Sequence, residues 1–241
     1  MAPASLSEIE LYYTPKENIS AAELRISGEE FHHIKNVMRH KTGDSLYVTD
    51  GEGAFYKTVV SEISQSEIVC SISDKDFFEN KLANFYFCIP RLKSSDRFEF
   101  ALEKCVELGI TNFIVFDAER SIAKGSKIDR WQKVLNSAMK QSLTCWLPSV
   151  FYLKNLNELK KWDGKKIFFE QRAEQSLQSF LKDNIPFYSR EKYYFIFGPE
   201  GGLTGKEFEL FEDSEILKLT DNRLRAETAI LTAASITALS I

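Results

Sequence analysis

The sequence predicts an α/β protein built as a small β-rich N-terminal part followed by a mostly parallel α/β part. Three observations predict it. Short β-branched and aromatic runs at hairpin spacing fill the first third. Beyond them, apolar runs alternate with helical patterns, the rhythm of buried strands joined by crossover helices. Late in the chain, two polar segments each follow such a run and precede a helix start, where α/β sheets place their ligands.

In the first third, Leu46–Thr49 leads into the turn Asp50-Gly51-Glu52-Gly53, followed by Ala54–Val60 and Ile68–Ile72. Spacing of this kind suggests a compact β-barrel. One helix, roughly Gly28 to Arg39, interrupts it. The polar stretch Ser73–Ala83 reads as a linker, and residues 1–8 as a short loose leader.

After the linker come apolar runs at Phe85–Ile89, Phe113–Phe116, Val150–Leu153, Ile167–Phe169, Tyr193–Phe197 and Ile216–Leu219. Between the first two, Phe98, Leu102, Cys105, Val106 and Gly109 fall on one helical face. Asp96 is the expected N-cap, with Glu99 three residues on. The domains are therefore expected at 1–78 and 79–241.

Composition excludes several classes. Hydrophobic residues at 44% and charged residues at 27% fit a globular protein. No apolar run reaches 18 residues, and Ala226–Ile241 is too short and too polar to span a bilayer, so no membrane partner is expected. The first residues carry neither a basic nor an apolar signal region. The four cysteines are scattered without a CxxC pair, so neither zinc nor a disulfide framework is expected, and free thiols fit a reducing cytoplasm. Three histidines lie within residues 32–40, but no Cys or carboxylate repeat completes a metal site. The net charge of −4 argues against non-specific nucleic-acid binding. Its distribution says more: residues 1–77 hold 7 Lys and Arg against 13 Asp and Glu, yet Phe31–Lys41 contains Lys35, Arg39, Lys41 and every histidine without one acid. That strip is compatible with a specific RNA contact, or with a solvated face.

The first polar segment is Gly198-Pro199-Glu200-Gly201-Gly202, after which Thr204-Gly205-Lys206-Glu207 forms a capping box that starts a helix. It is neither a Walker A loop nor a dinucleotide fingerprint, because Glu207 stands where Ser or Thr belongs and Glu200 where a glycine belongs. A tight turn alone would explain two glycines, but not three around a proline and a carboxylate. The second segment, Thr220-Asp221-Asn222-Arg223-Leu224-Arg225, precedes an Ala-rich helix opened by Ala226, with Glu227 and Thr228 in its first turn. Glu227 there suits the helix dipole. Two arginines in a loop at the sheet's carboxyl edge point to a functional role, or are exposed surface cations. Ala229, Ala233, Ala234 and Ala238 allow close packing of another backbone.

Read in order, these motifs become more specific. Leu11-Tyr12-Tyr13, then His33–Arg39 with Gly43-Asp44, are followed by Lys93, Asp96-Arg97, Lys104, Glu107-Leu108-Gly109 and Glu119-Arg120-Ser121. Ala138-Met139-Lys140-Gln141-Ser142, ending in Pro148, precedes the GPEGG turn and the RLRAETA segment. The chain resembles the RsmE family of bacterial 16S rRNA methyltransferases, of the SPOUT superfamily, over almost all its length. The resemblance implies a SPOUT-type knotted parallel sheet at the C-terminus, a PUA-like RNA-binding β-barrel at the N-terminus, and a dimer formed through the knotted domain. It implies S-adenosylmethionine as cofactor and N3 of one uridine in small-subunit (16S) rRNA as target.

On that resemblance the cofactor residues are Phe169, Glu170, Gly198, Pro199, Glu200, Gly201, Gly202, Leu219, Thr220, Asn222, Leu224, Arg225 and Thr228. Arg225 or Arg223 would stabilise charge on the uracil, while Glu200 or Glu227 organises the loops or accepts the proton. Lys35, Arg39, Lys41, Arg91, Lys93, Arg120 and Gln141 would hold the RNA. Two departures stand out. Thr220 replaces a family glycine, and a threonine tolerates positive φ poorly, so that loop is expected to sit differently against the cofactor. Thr144 replaces an arginine that many members carry, which removes one expected RNA contact. Two other readings remain compatible with the sequence: a SPOUT enzyme acting on ribose 2′-OH or tRNA, and a non-catalytic RNA-binding protein with a decayed cofactor site.

Overall fold

Turn-rich, alternating sequence gives way to continuous apolar runs near residue 80, and the architecture changes there as well. The computed structural model describes residues 9–184 and 191–241, so the expected leader lies outside the described residues. Two compact units form, one of residues up to Asn80 together with Met139–Leu147, the other of Lys81–Ala138 and Pro148–Ile241.

The first unit is a curled five-stranded sheet of β1 (Leu11–Tyr13), β2 (Glu23–Ser27), β3 (Ser45–Thr49), β4 (Ala54–Ile63) and β5 (Glu67–Phe77), in the order β1-β3-β4-β5-β2. β1 runs parallel to β3, and the other pairs are antiparallel. Period-two alternation sends Leu24, Ile26, Leu46, Val48, Tyr56, Val60, Ile68 and Cys70 into one core. The sheet curls without a β1–β2 ladder; the two edges meet where Thr14 Oγ1 donates to Arg25 O at 2.6 Å. β5 continues to Phe77, drawing into the sheet the polar stretch expected as linker, with Phe77 opposite Ala54. Polarity misled there because that end of β5 is exposed on both faces.

The expected helix is present as α1 (Gly28–His32), running on as a wider π-helix over His33–Met38. It ends at Arg39, which takes the left-handed conformation, φ 61°. Met139–Leu147 packs with this unit: Gly53 N and Thr49 Oγ1 donate to Cys145 O, and Leu147 N donates to Gly51 O.

The second unit is an all-parallel six-stranded sheet of β6 (Phe85–Pro90), β7 (Asn112–Phe116), β8 (Ser149–Leu153), β9 (Lys165–Phe169), β10 (Tyr193–Ile196) and β11 (Glu215–Leu217). Its order is β11-β9-β10-β6-β7-β8. The chain builds outward from β6 to β8, then returns to fill the other side, so β6 and β10 flank a topological switch point. Every residue of β10 is buried, as a central strand covered on both faces requires.

Among the described residues, the α-helices of this unit are α2 (Ser95–Glu107), α3 (Ile128–Gln141) as far as Ala138, α4 (Leu177–Asn184), the single turn α5 (Gly205–Phe208) and α6 (Ala226–Ser240). α2 buries Phe98, Leu102, Cys105 and Val106 of the expected face, with Ala101 in addition, and ends before Gly109. Its N-cap is Ser94, whose Oγ accepts from Arg97 N at 3.4 Å; Asp96, expected as the cap, lies in the first turn. α6 packs on α2 and α4, with Ala233 and Ala234 fully buried where backbones approach. The fold class is thus mixed α/β, a curled N-terminal sheet followed by a parallel C-terminal one.

Candidate active site

The carboxyl ends of β9, β10 and β11 release Phe169-Glu170, the GPEGG turn and the Leu219–Arg225 loop side by side, because those strands are neighbours and parallel. With the starts of α2 and α6 they enclose a cavity of about 730 Å³ lined by Arg97, Phe169, Glu170, Phe197, Gly198–Gly202 and Arg223–Glu227, with Ala229. A smaller recess of about 140 Å³ shares Phe169, Glu170, Arg223, Leu224 and Ala229 and adds Gln171, Leu219, Thr220 and Asn222.

The turn after β10 is held from several sides. Phe197 N donates to Cys88 O at 3.0 Å, prolonging the β10–β6 ladder to the last residue before the glycines. Gly202, at φ 72°, folds back so that its N–H reaches Pro199 O at 2.8 Å. A Cβ at Gly201 would meet Arg120 Cβ at 3.2 Å, a tight approach that would push the Arg120 side chain back by a few tenths of an ångström. Arg120 Nη1 donates to Gly201 O at 3.1 Å and to Leu203 O at 3.4 Å. Glu200 Oε1 accepts from Lys93 N at 3.1 Å. The capping box is formed: Thr204 Oγ1 accepts from Glu207 N, and the Glu207 carboxylate accepts from Thr204 N. Glu207 is buried, and its other oxygen accepts from Glu119 N at 3.0 Å, tying the loop after β7 to this turn.

Phe169 and Phe197 stack with centroids 5.0 Å apart and form the aromatic wall. Opposite, Arg225 is the N-cap of α6, with extended backbone (φ −71°, ψ 158°) and no capping side chain. The first N–H groups of α6 therefore remain uncapped where Ala226 and Glu227 line the cavity. Among the described residues Arg223 and Arg225 make no hydrogen bond or ion pair through their side chains, and both are exposed. Glu227, mostly buried, pairs with Arg97 Nη1 at 3.4 Å. Thr220 does not occupy positive φ. Its hydroxyl accepts from Asn222 N at 3.2 Å and donates to Asn222 O at 3.1 Å, so a side-chain turn does the work expected of a glycine. β11 ends at Leu217, two residues before the expected strand end, which leaves Leu219 in the loop.

Of the residues expected at the cofactor, all but Thr228 line one cavity or the other; Thr228 is exposed in the first turn of α6. Sequence reading assigned no role there to Arg97, Phe197, Ala226 and Ala229. Arg97 carried a signal, since a cation in the first turn of a helix opposes the helix dipole.

The residues expected at RNA divide sharply. Arg39 and Lys41 are exposed, with no side-chain partner among the described residues, on a loop closed by Asp44. The Lys41 N–H, aided by His40, holds the Asp44 carboxyl below its usual pKa. Lys35 is half-buried, donating to Ser64 O at 2.9 Å over the Phe31 ring. Lys93 and Gln141 are exposed. Arg120 braces the glycine turn as described. Arg91 is 6% exposed, donates to Gly125 O at 2.5 Å and faces the rings of Phe98 and Trp131. Its charge is spent inside the unit, so it is not carried forward as a phosphate contact. No group of three or more potential metal ligands occurs among the described residues, and no helix among them is long and apolar enough to cross a membrane.

Residues 79–238 match the RNA methyltransferase domain family, and residues 26–73 match the RNA methyltransferase PUA domain. The chain belongs to the RNA methyltransferase family. It is 30% identical over 237 residues to the ribosomal RNA small subunit methyltransferase E of Bacillus subtilis, covering 92% of each chain. A Synechocystis protein of the same name is 28% identical over 225 residues, 88% of this chain and 72% of that one. Among solved structures, a ribosomal RNA small subunit methyltransferase E from Neisseria gonorrhoeae bound to S-adenosyl methionine superposes with a TM-score of 0.80 at 27% identity, covering 94% of this chain and 95% of that one. In this RNA methyltransferase, then, the cavity at the strand ends lies within the matched catalytic domain, and the curled sheet carries the PUA match.

Proposed function

We propose that this chain transfers a methyl group from S-adenosylmethionine to N3 of a specific uridine in small-subunit ribosomal RNA. The observation that carries the reading is the single cavity where three parallel strand ends bring an aromatic wall, a glycine turn, three carboxylates and three arginines together.

The wall fits the cofactor, which supplies an electrophilic methyl group on a sulfonium when bound. A volume of about 730 Å³ suits a molecule of that size, typical sites being about 300–1,000 Å³. Phe169 and Phe197 offer ring faces to a cation. Glu170, Glu200 and Glu227 complement a ligand that carries both a sulfonium and an ammonium. The glycine turn brings backbone within hydrogen-bonding reach, as a Cβ there would not.

Uracil N3 is a poor nucleophile until it loses its proton, and the charge then spreads onto O2 and O4. Arg225 and Arg223, without side-chain partners among the described residues, stabilise that charge. Glu200, fixed by the Lys93 N–H, and Glu227 organise the loops or take the proton. Arg39 and Lys41, with Lys35, Lys93 and Gln141, hold RNA phosphates, and Arg120 acts from behind the turn. Residues 1–78 form the RNA-binding PUA-like domain and residues 79–241 the SPOUT methyltransferase domain, whose late strands pass through a trefoil knot. The enzyme works in the cytoplasm on the ribosomal small subunit. It is a homodimer through the knotted domain, with the Ala-rich α6, whose Leu239 is 89% exposed, suited to the contact.

Nucleoside mass spectrometry of rRNA from a strain lacking the gene tests this reading. Loss of N3-methyluridine is expected; its persistence at normal level would sink the assignment.

A further inference from the structure

Resting on that reading of the site, we propose that Arg97 is a further catalytic residue, the preorganised cation that stabilises the N3-deprotonated uracil. Three arginines line the cavity, and only Arg97 among them is held in place by a carboxylate. Its Nη1 lies 3.4 Å from Glu227 Oε1, and Glu227 is mostly buried at the start of α6. A guanidinium carries five donors in a rigid fork, so one contact with Glu227 leaves others to face the cavity. Half of the Arg97 side chain (51%) is exposed, toward a cavity that it lines.

Its placement runs against local preference. Arg97 is the third residue of α2, where the helix dipole disfavours a cation and a capping glutamate would stabilise the helix. Its own N–H is taken by the Ser94 cap, so its presence does not serve the cap. Arg225 repeats the pattern as the N-cap of α6. Two helix starts, each with an arginine, thus flank one cavity, and such breaches of local rules gather at functional sites. A cation oriented before the substrate arrives needs no reorganisation as charge develops.

The step is the ionisation of uracil. The N3–H bond breaks, its proton passes to water, and the electron pair stays on the ring, shared among N3, O2 and O4. Arg97 lowers the pH at which this occurs. The charged groups around it are Glu227 from α6, Glu200 after β10, Glu170 after β9, Arg223 and Arg225 after β11, and Asp96 and Glu99 on its own helix, Glu99 being paired with Arg130.

Single-turnover methylation of unmodified small subunits by the full chain, measured from pH 6.5 to 9.5, tests the proposal. Arg97→Ala should be slower by about 30-fold at pH 7, the deficit narrowing to under about 3-fold at the alkaline end as the uracil ionises unaided. Arg97→Lys, which keeps the charge, should recover much of the loss. A second readout needs no turnover. With 5-fluorouridine at the target position of an rRNA fragment, the ¹⁹F shift reports ring ionisation, which should occur at lower pH on the wild type than on Arg97→Ala. A deficit constant across pH together with weaker RNA binding would make Arg97 a phosphate contact and overturn the proposal. Loss of S-adenosylmethionine binding by calorimetry in Arg97→Ala would overturn it as well. Failure of the uridine N3 reading itself would show differently, as absence of N3-methyluridine from the wild-type reaction.

Discussion

Among the arginines of the second unit that follow the carboxyl ends of its strands are Arg91 after β6, Arg120 after β7, and Arg223 and Arg225 after β11. In the sequence they look alike, yet they do different work. Arg91 and Arg120 spend their donors on backbone carbonyls, the first on Gly125 O, the second on Gly201 O and Leu203 O. Arg223 and Arg225 have no side-chain partner among the described residues and line the cavity. The difference teaches how to read a cation near a site. Where burial or a carbonyl already satisfies a guanidinium, it holds the walls; where nothing does, the charge is available to a ligand.

The largest expected break between the two groups is kinetic. Arg225→Ala should lower the single-turnover rate by about 100- to 1,000-fold, the range found when one donor to a developing negative charge is removed. Its thermal midpoint should stay within about 2 °C of wild type, because an exposed side chain without partners contributes little to folding. A rate within about threefold of wild type at saturating RNA would move Arg225 out of the catalytic set.

Arg91→Met should do the reverse. The substitution leaves Gly125 O without its donor and loosens the packing against Phe98 and Trp131, at a cost of about 1–3 kcal/mol. For a chain of this size that is a fall in midpoint of about 2–10 °C by calorimetry. RNA affinity measured well below the transition should be unchanged. A variant with an unaltered midpoint and weakened RNA binding would restore Arg91 to the nucleic-acid surface.

Much of this was legible in the sequence, for physical reasons. Every expected apolar run of the second unit became a strand, because a parallel sheet covered on both faces needs continuous hydrophobic residues, as Tyr193–Ile196 shows. The GPEGG turn, the capping box and the start of α6 were readable because glycines, caps and helix starts have local chemistry. Three kinds of feature were not. β1 and β2 escaped because three and five residues, with two buried side chains each, make too weak a pattern. The Ser94 cap was missed because Asp96, two residues on, offers the same capping chemistry, and the reach of β5 depended on its pairing with β4, where Phe77 lies opposite Ala54. The partners of Arg91 and Arg120 lie 34 and 81 residues away, and no periodicity reports such pairs.

Thr220 offers the finest test of the contrast between satisfied and available groups. Its replacement of a family glycine suggested a strained loop, but the threonine sits at ordinary φ and its hydroxyl makes both hydrogen bonds with the Asn222 backbone. The side chain therefore pins the loop that carries Arg223 and Arg225. Thr220→Gly would remove both bonds and restore backbone freedom, each change worth about 0.5–1 kcal/mol against the ordered loop. Calorimetry should then record S-adenosylmethionine binding weakened by about 3- to 10-fold, with a more unfavourable entropy as the loop orders on the ligand. Tighter binding in the glycine variant would reverse the conclusion: the threonine would be holding the loop away from its bound position, and the satisfied hydroxyl would mark an obstacle to the cofactor.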